Sequence, residues 1–140
     1  MREQTGELIG KLRRAATKRE EATVWSDIWS ALCPEPALQA AAYWAVPQLV
    51  ALAVEKSPGE RLDYLHFVGA VEALRHKMNA PPIPDELEVI YYAALMDAAS
   101  MIVECLKLDW DKTGYRALLG SLASVRAGLE FRDRHHGRVW

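Results

Sequence analysis

Apolar positions recur with a helical period along nearly the whole chain, and no stretch alternates with the period of two that a half-buried strand needs. The spacing predicts a first helix over 5–19, with Leu8, Ile9, Leu12 and Ala16 on one stripe and Lys11, Arg13, Arg14, Lys18 and Arg19 opposite. A second, over 21–32, turns Trp25, Ile28, Trp29 and Leu32 to one side. No Gly or Pro separates the two, so one long rod and a pair of helices both fit. Cys33-Pro34-Glu35-Pro36 ends this pattern, because two prolines cannot continue a helix and each pushes the residue before it towards extended geometry.

The next segment, 36–54, carries no charge and reads as a helix starting on Pro36 and kinked at Pro47. Its length is near that of a membrane span. Its alanines, Gln39, Gln48 and central proline make it weakly hydrophobic, and a helix buried inside the domain is the expectation. Ser57-Pro58-Gly59-Glu60 has the form of a capping box and opens a fourth helix, predicted to run to Met78. Gly69 inside it costs about 1 kcal/mol relative to alanine, which a close helix crossing would explain. After the stiff loop 79–84, Asp85 and Glu88 form a second capping signature. The fifth helix, 86–108, is apolar almost all round and is expected to be buried like the third. A sixth, over 112–127, is striped through Tyr115, Leu118, Leu119, Leu122 and Val125.

Buried helices alternating with half-buried ones and joined by short connectors are what stacked helical hairpins produce. The expected fold is therefore all-α: a short α-α superhelix of about six helices, with an orthogonal helical bundle as the alternative. The chain divides into one helical domain, 1–127, and a polar, basic C-terminal tail, 128–140.

Composition narrows the function. The chain has 140 residues, half of them hydrophobic, and a formal charge of −2. That balance argues against a nucleic-acid binder. Charge is uneven, though. The first twenty residues are net +3 and the last fifteen net +2, which leaves −7 on the body between them and a candidate face for a basic partner. The two cysteines lie far apart with no CxxC pair, so neither a disulfide scaffold nor a zinc site is expected, and a reducing, cytoplasmic setting is the default. No secretory hydrophobic segment opens the chain, and no membrane partner is expected.

Among residues that could carry chemistry, Asp97 interrupts an apolar run, and Glu104 lies on the same helix face two turns on. An unpaired carboxylate buried there would cost several kcal/mol, so Asp97 must face water, stay protonated or find a cation such as Arg75. Glu72 and His76 are four apart and can meet on their helix, as can Asp63 and His66. Neither pair has a third ligand nearby, and His135-His136 sit in the basic tail, so no metal or cofactor is expected. No nucleophile elbow or phosphate loop occurs, and the chain does not read as an enzyme. The tandem pairs Tyr43-Trp44 and Tyr91-Tyr92 must each send one ring to a different neighbour, which makes Trp44 and Tyr92 candidate partner contacts.

The stretch Trp25-Ser-Asp-Ile-Trp-Ser-Ala-Leu-Cys33, followed by Ala40-Ala-Ala-Tyr-Trp-Ala-Val-Pro-Gln-Leu-Val-Ala-Leu-Ala53, resembles bacterial HEAT-like helical-repeat proteins. The matching positions are Leu32, Cys33, Val46, Pro47, Leu49 and Val50, and Tyr64 to Gly69 resemble the next repeat's helix. The resemblance covers residues 25–75. It implies an α-α superhelix and a protein-binding role, immunity and regulatory proteins being among such small repeat proteins. It transfers no functional residue. The expectation is a non-catalytic interaction module with a protein partner on an acidic concave face, a homodimer being open. The alternative is a small-molecule-binding or enzymatic domain built on Asp97, Glu104 and nearby tyrosines. The candidate surface is Asp97, Glu104, Tyr92, Trp44, Glu72 and His76.

Overall fold

The computed structural model describes residues 2–33, 38–77 and 79–136, and every described element is helical. Six α-helices follow one another: α1 (Arg2–Arg14), α2 (Lys18–Leu32), α3 (Ala41–Glu55), α4 (Leu62–Arg75), α5 (Glu88–Cys105) and α6 (Lys112–His136). The expected break at Pro34-Glu35-Pro36, the side chains of His135 and His136 and the last four residues lie outside what is described. The third helix does not start on Pro36, since residues 38–40 are non-helical and α3 begins at Ala41, and the fourth ends at Arg75, short of Met78, with His76 and Lys77 already in a turn.

The first two helices are separate. Thr17 caps α2 by accepting the Glu20 amide at 3.1 Å, while the Glu20 carboxylate reaches back to the Ala16 amide at 3.0 Å. This reciprocal cap satisfies the Glu20 amide in the first turn of α2 and the Ala16 amide ahead of it, where the chain turns after Arg14. The two signatures read as caps of the fourth and fifth helices do something else. Ser57 Oγ donates to the Glu60 carboxylate at 2.7 Å, and the segment Pro58–Glu60 forms a 3-10 turn ahead of α4. Asp85–Leu87 forms a second 3-10 turn, with no side-chain cap before α5.

The packing is a two-layer stack of three hairpins. The odd helices lie side by side, α1 on α3 and α3 on α5, and α4 lies on α6 in the other layer. Large rings carry α2 onto α4: Trp25 meets Tyr64 edge-on at 5.2 Å between ring centres, and Trp29 meets Phe67 at 5.0 Å. The core between the layers is built on Ile28, Leu32, Tyr43, Leu49, Leu65, Phe67, Leu95 and Leu118. As expected, α3 is the central helix, with nine of its residues buried.

Two connections fix the ends of α3. Thr5 Oγ1 donates to the Ala41 carbonyl at 3.3 Å, which fixes α1 to the start of α3. Arg61 is buried and closes the other end of α3. Its Nε donates to the Ala53 carbonyl at 2.7 Å, and its two terminal nitrogens reach the Val54 carbonyl and Glu104, both at 3.3 Å.

Gly69 fulfils its expected role. A Cβ built there would stand 2.5 Å from Ser121 Cβ and 2.6 Å from Ser121 Cα, so the backbones of α4 and α6 touch at this point. Against expectation, residues 128–136 are not a tail but the last third of α6. The reason is packing: Gly128 and Leu129 continue the inward stripe of Leu118, Leu122 and Val125 along α4.

Candidate interaction surface

Helix α5 has two unlike faces. The inner one carries Tyr91, Tyr92, Leu95, Ala98, Met101, Ile102 and Cys105, all buried. The outer one was expected to be buried too, and it is not. Val89 is 74% exposed, Ile90 57%, Met96 59% and Val103 40%. The helix has α3 on one flank and α4 and α6 behind it, and as the last helix of its layer it leaves half its circumference uncovered.

Behind α5 lies a charged cluster that holds it in place. Glu72 on α4 is completely buried. Arg75 grips it in a two-pronged ion pair, Nε to Oε2 at 2.7 Å and Nη2 to Oε1 at 2.9 Å. The Tyr91 hydroxyl donates to Oε2 at 2.6 Å, and His76 Nε2 stands 3.6 Å from Oε1. The Arg75 guanidinium lies over the Tyr91 and Tyr92 rings at 5.9 and 5.6 Å, and Arg132 on α6 covers Tyr92 at 4.6 Å. His76 meets Phe131 edge-on at 5.3 Å. Gly128 lies against the carboxylate, where a Cβ would collide with it.

The titrations follow from this burial. Desolvation pushes the Tyr91 hydroxyl well above its ordinary value, and the adjacent Glu72 charge adds to the rise. Burial lifts Tyr92 as well. Burial alone would lower Arg75, but the hydrogen bonds and charge of Glu72 outweigh it and hold the guanidinium above its usual range. Tyr43, edge-on to Tyr91 at 5.6 Å, donates to the Pro81 carbonyl at 2.6 Å, and burial pushes it up to about 12.

The six candidate residues therefore divide. Glu72, His76 and Tyr92 come together in the clamp behind α5, where Glu72 and Tyr92 are buried and His76 stands exposed at the rim. Trp44 is half-buried on α3, its carbonyl accepting from Gln48 at 3.0 Å. Asp97 and Glu104 share the outer side of α5. Asp97 is exposed, and Arg75, its expected cation, is held by Glu72. Glu104 is 56% exposed and bridged to Arg61. Tyr92 projects about 140° round the helix from Asp97, five residues on at 100° each, so the carboxylates and the tyrosine do not line one cleft. Three concavities are found elsewhere, at the α1–α2 corner, beside Trp110 and over the α4–α6 crossing, and neither carboxylate lines any of them.

The exposed apolar row was not among the candidates. Its signal was present in Val89, Met96 and Val103, seven residues apart, but the buried positions of the same helix are as apolar. Among the described residues, no group of three or more His, Cys, Asp or Glu side chains could hold a metal ion, and no helix is long and apolar enough to cross a membrane. Searches against protein-family models, curated proteins and solved structures return no match.

Proposed function

We propose that this chain is a non-catalytic protein-binding module, of immunity or regulatory type, that presents the outer face of α5 to another protein. The observation that carries this reading is the row Val89, Met96 and Val103 with Ile90, bare on a helix fixed from behind by a buried ion pair. Leaving such a row in water costs roughly 25 cal/mol for each Å² that could be covered. Contiguous apolar exposure on a rigid element marks protein contact surfaces more often than ordinary exterior. Asp97, Glu104 and Glu86 edge the row with acid and Lys107 stands beyond its far end as a base, which favours a partner that offers apolar surface with charges of both signs.

The test compares proteins retained from the source cell by the immobilised chain and by its Met96→Glu variant. Met96 faces water, so the substitution spares the fold, as circular dichroism would verify. Proteins held by the parent and lost by the variant support the reading. Identical retention by the two chains refutes it.

A further inference from the structure

The outer row of α5 has a geometry that matches itself. Val89, Met96 and Val103 are seven residues apart, a spacing that drifts only about 20° per step and so forms a nearly straight ridge. Ala93 and Ser100 are also exposed and lie beside the ridge, small enough to let another helix approach closely. Glu86, in the 3-10 turn just before α5, and Lys107, in the turn just after it, put an exposed acid and an exposed base at the two ends of the helix. The midpoints of Val89 to Val103 and of Glu86 to Lys107 both fall at Met96–Asp97.

We propose that two copies of the chain pair through this ridge, their α5 helices antiparallel, with the two-fold axis beside Met96. This rests on reading the outer face of α5 as a protein-binding surface, and it names the partner as the same chain. Antiparallel packing sets Val89 of one copy against Val103 of the other and brings Glu86 beside Lys107 twice, once at each end. Parallel packing would set Glu86 against Glu86 and Lys107 against Lys107, so charge selects the antiparallel arrangement. It also aligns the two helix dipoles favourably. Because α5 ends its layer, the second copy continues the stack where a further hairpin would lie.

One feature opposes pairing. Asp97 lies beside the axis, so the two copies' carboxylates approach each other. The ridge is about 21 Å long, which buries well under the roughly 800 Å² per partner of a standard interface. The dimer is therefore weak and reversible, with a dissociation constant in the micromolar range or above.

Sedimentation equilibrium of the full chain, from about 10 μM to about 1 mM and at two salt concentrations, tests this. The expected mass rises with concentration towards that of a dimer. Met96→Glu weakens association at least about tenfold. Glu86→Lys and Lys107→Glu each weaken it several-fold, and the double variant recovers affinity because the charges are exchanged between copies. Asp97→Asn tightens it. A parent chain that stays monomeric throughout overturns the proposal, as does a double charge variant whose losses simply add. Monomeric behaviour alongside Met96-dependent capture of another protein removes the self-pairing and keeps the binding face. Monomeric behaviour with capture unaffected by Met96→Glu removes both.

Discussion

Replacing Glu72 by glutamine tests the clamp behind α5 directly. The carboxylate is wholly buried and receives three short hydrogen bonds, at 2.6, 2.7 and 2.9 Å. Glutamine keeps the shape and can still accept from Tyr91, but it leaves the Arg75 guanidinium, only 10% exposed, without an anion. Removing one partner of a buried pair costs about 3–5 kcal/mol. That is a large share of the roughly 5–15 kcal/mol that holds a domain folded. The midpoint of thermal unfolding should fall by roughly 10–15 °C for a chain of this size. Urea unfolding followed by far-ultraviolet circular dichroism measures the loss, provided the slope is unchanged between variants. Arg75→Met strands the carboxylate instead and should cost a similar amount. The double variant should lose about 2–3 kcal/mol less than the sum of the singles, because the second substitution removes a charge already unpaired. A Glu72→Gln loss below about 1 kcal/mol, or singles that add to within about 0.5 kcal/mol, would refute the pairing.

Other outcomes follow from the same contacts. Gly69→Ala gains about 1 kcal/mol of helix propensity but must push α6 away through the Ser121 backbone, and overpacking costs about 1–3 kcal/mol. Chemical denaturation should show a net loss of up to about 2 kcal/mol, and a stabilised variant would mean the crossing opens freely. Ser121→Ala should be neutral or stabilising, since the Ser121 hydroxyl is buried without a hydrogen-bond partner; a loss above about 1 kcal/mol would contradict that. Burial pushes Tyr43 and Tyr64 up to about 12 and Tyr91 well above 10.0, so above pH 10 the unfolded chain releases protons that the folded chain keeps. Stability should be full below pH 10 and fall as pH rises towards 12. Phenolate absorbance should show these three ionising only as the chain unfolds, and ordinary titration of all five tyrosines near pH 10 would exclude their burial.

Much of the architecture was legible because helix periodicity is local. Six helices and the Gly69 crossing could all be read, the crossing because an interior glycine is expensive. The errors have physical causes. Thr17-Lys-Arg-Glu20 is the working capping box and divides α1 from α2, yet it sits in a charged run that looks like continuous helix. Leu129 prolongs the stripe of Leu118, Leu122 and Val125, but the arginines around it gave it the look of a tail. The burial of Glu72 depends on Tyr91, nineteen residues away, and on Gly128, and no local pattern encodes either contact. The outer face of α5 was unreadable for the opposite reason. Val89 and Met96 are chemically the same kind of residue as Leu95 and Ile102, and only the end of a layer decides which of them stays wet.

The layered order of the helices also bears on how the chain is made. Each helix packs chiefly on those one or two steps away: α1 on α3, α2 on α4, α3 on α5, and α4 on α6. Contacts of such short reach form quickly and need no distant segment to be present. During synthesis, α1 and α3 can therefore join while later residues are still inside the ribosome. A late event is the arrival of Gly128, which seals a carboxylate translated some fifty residues before, so a nascent chain stalled short of that point keeps its acid wet and its final hairpin open.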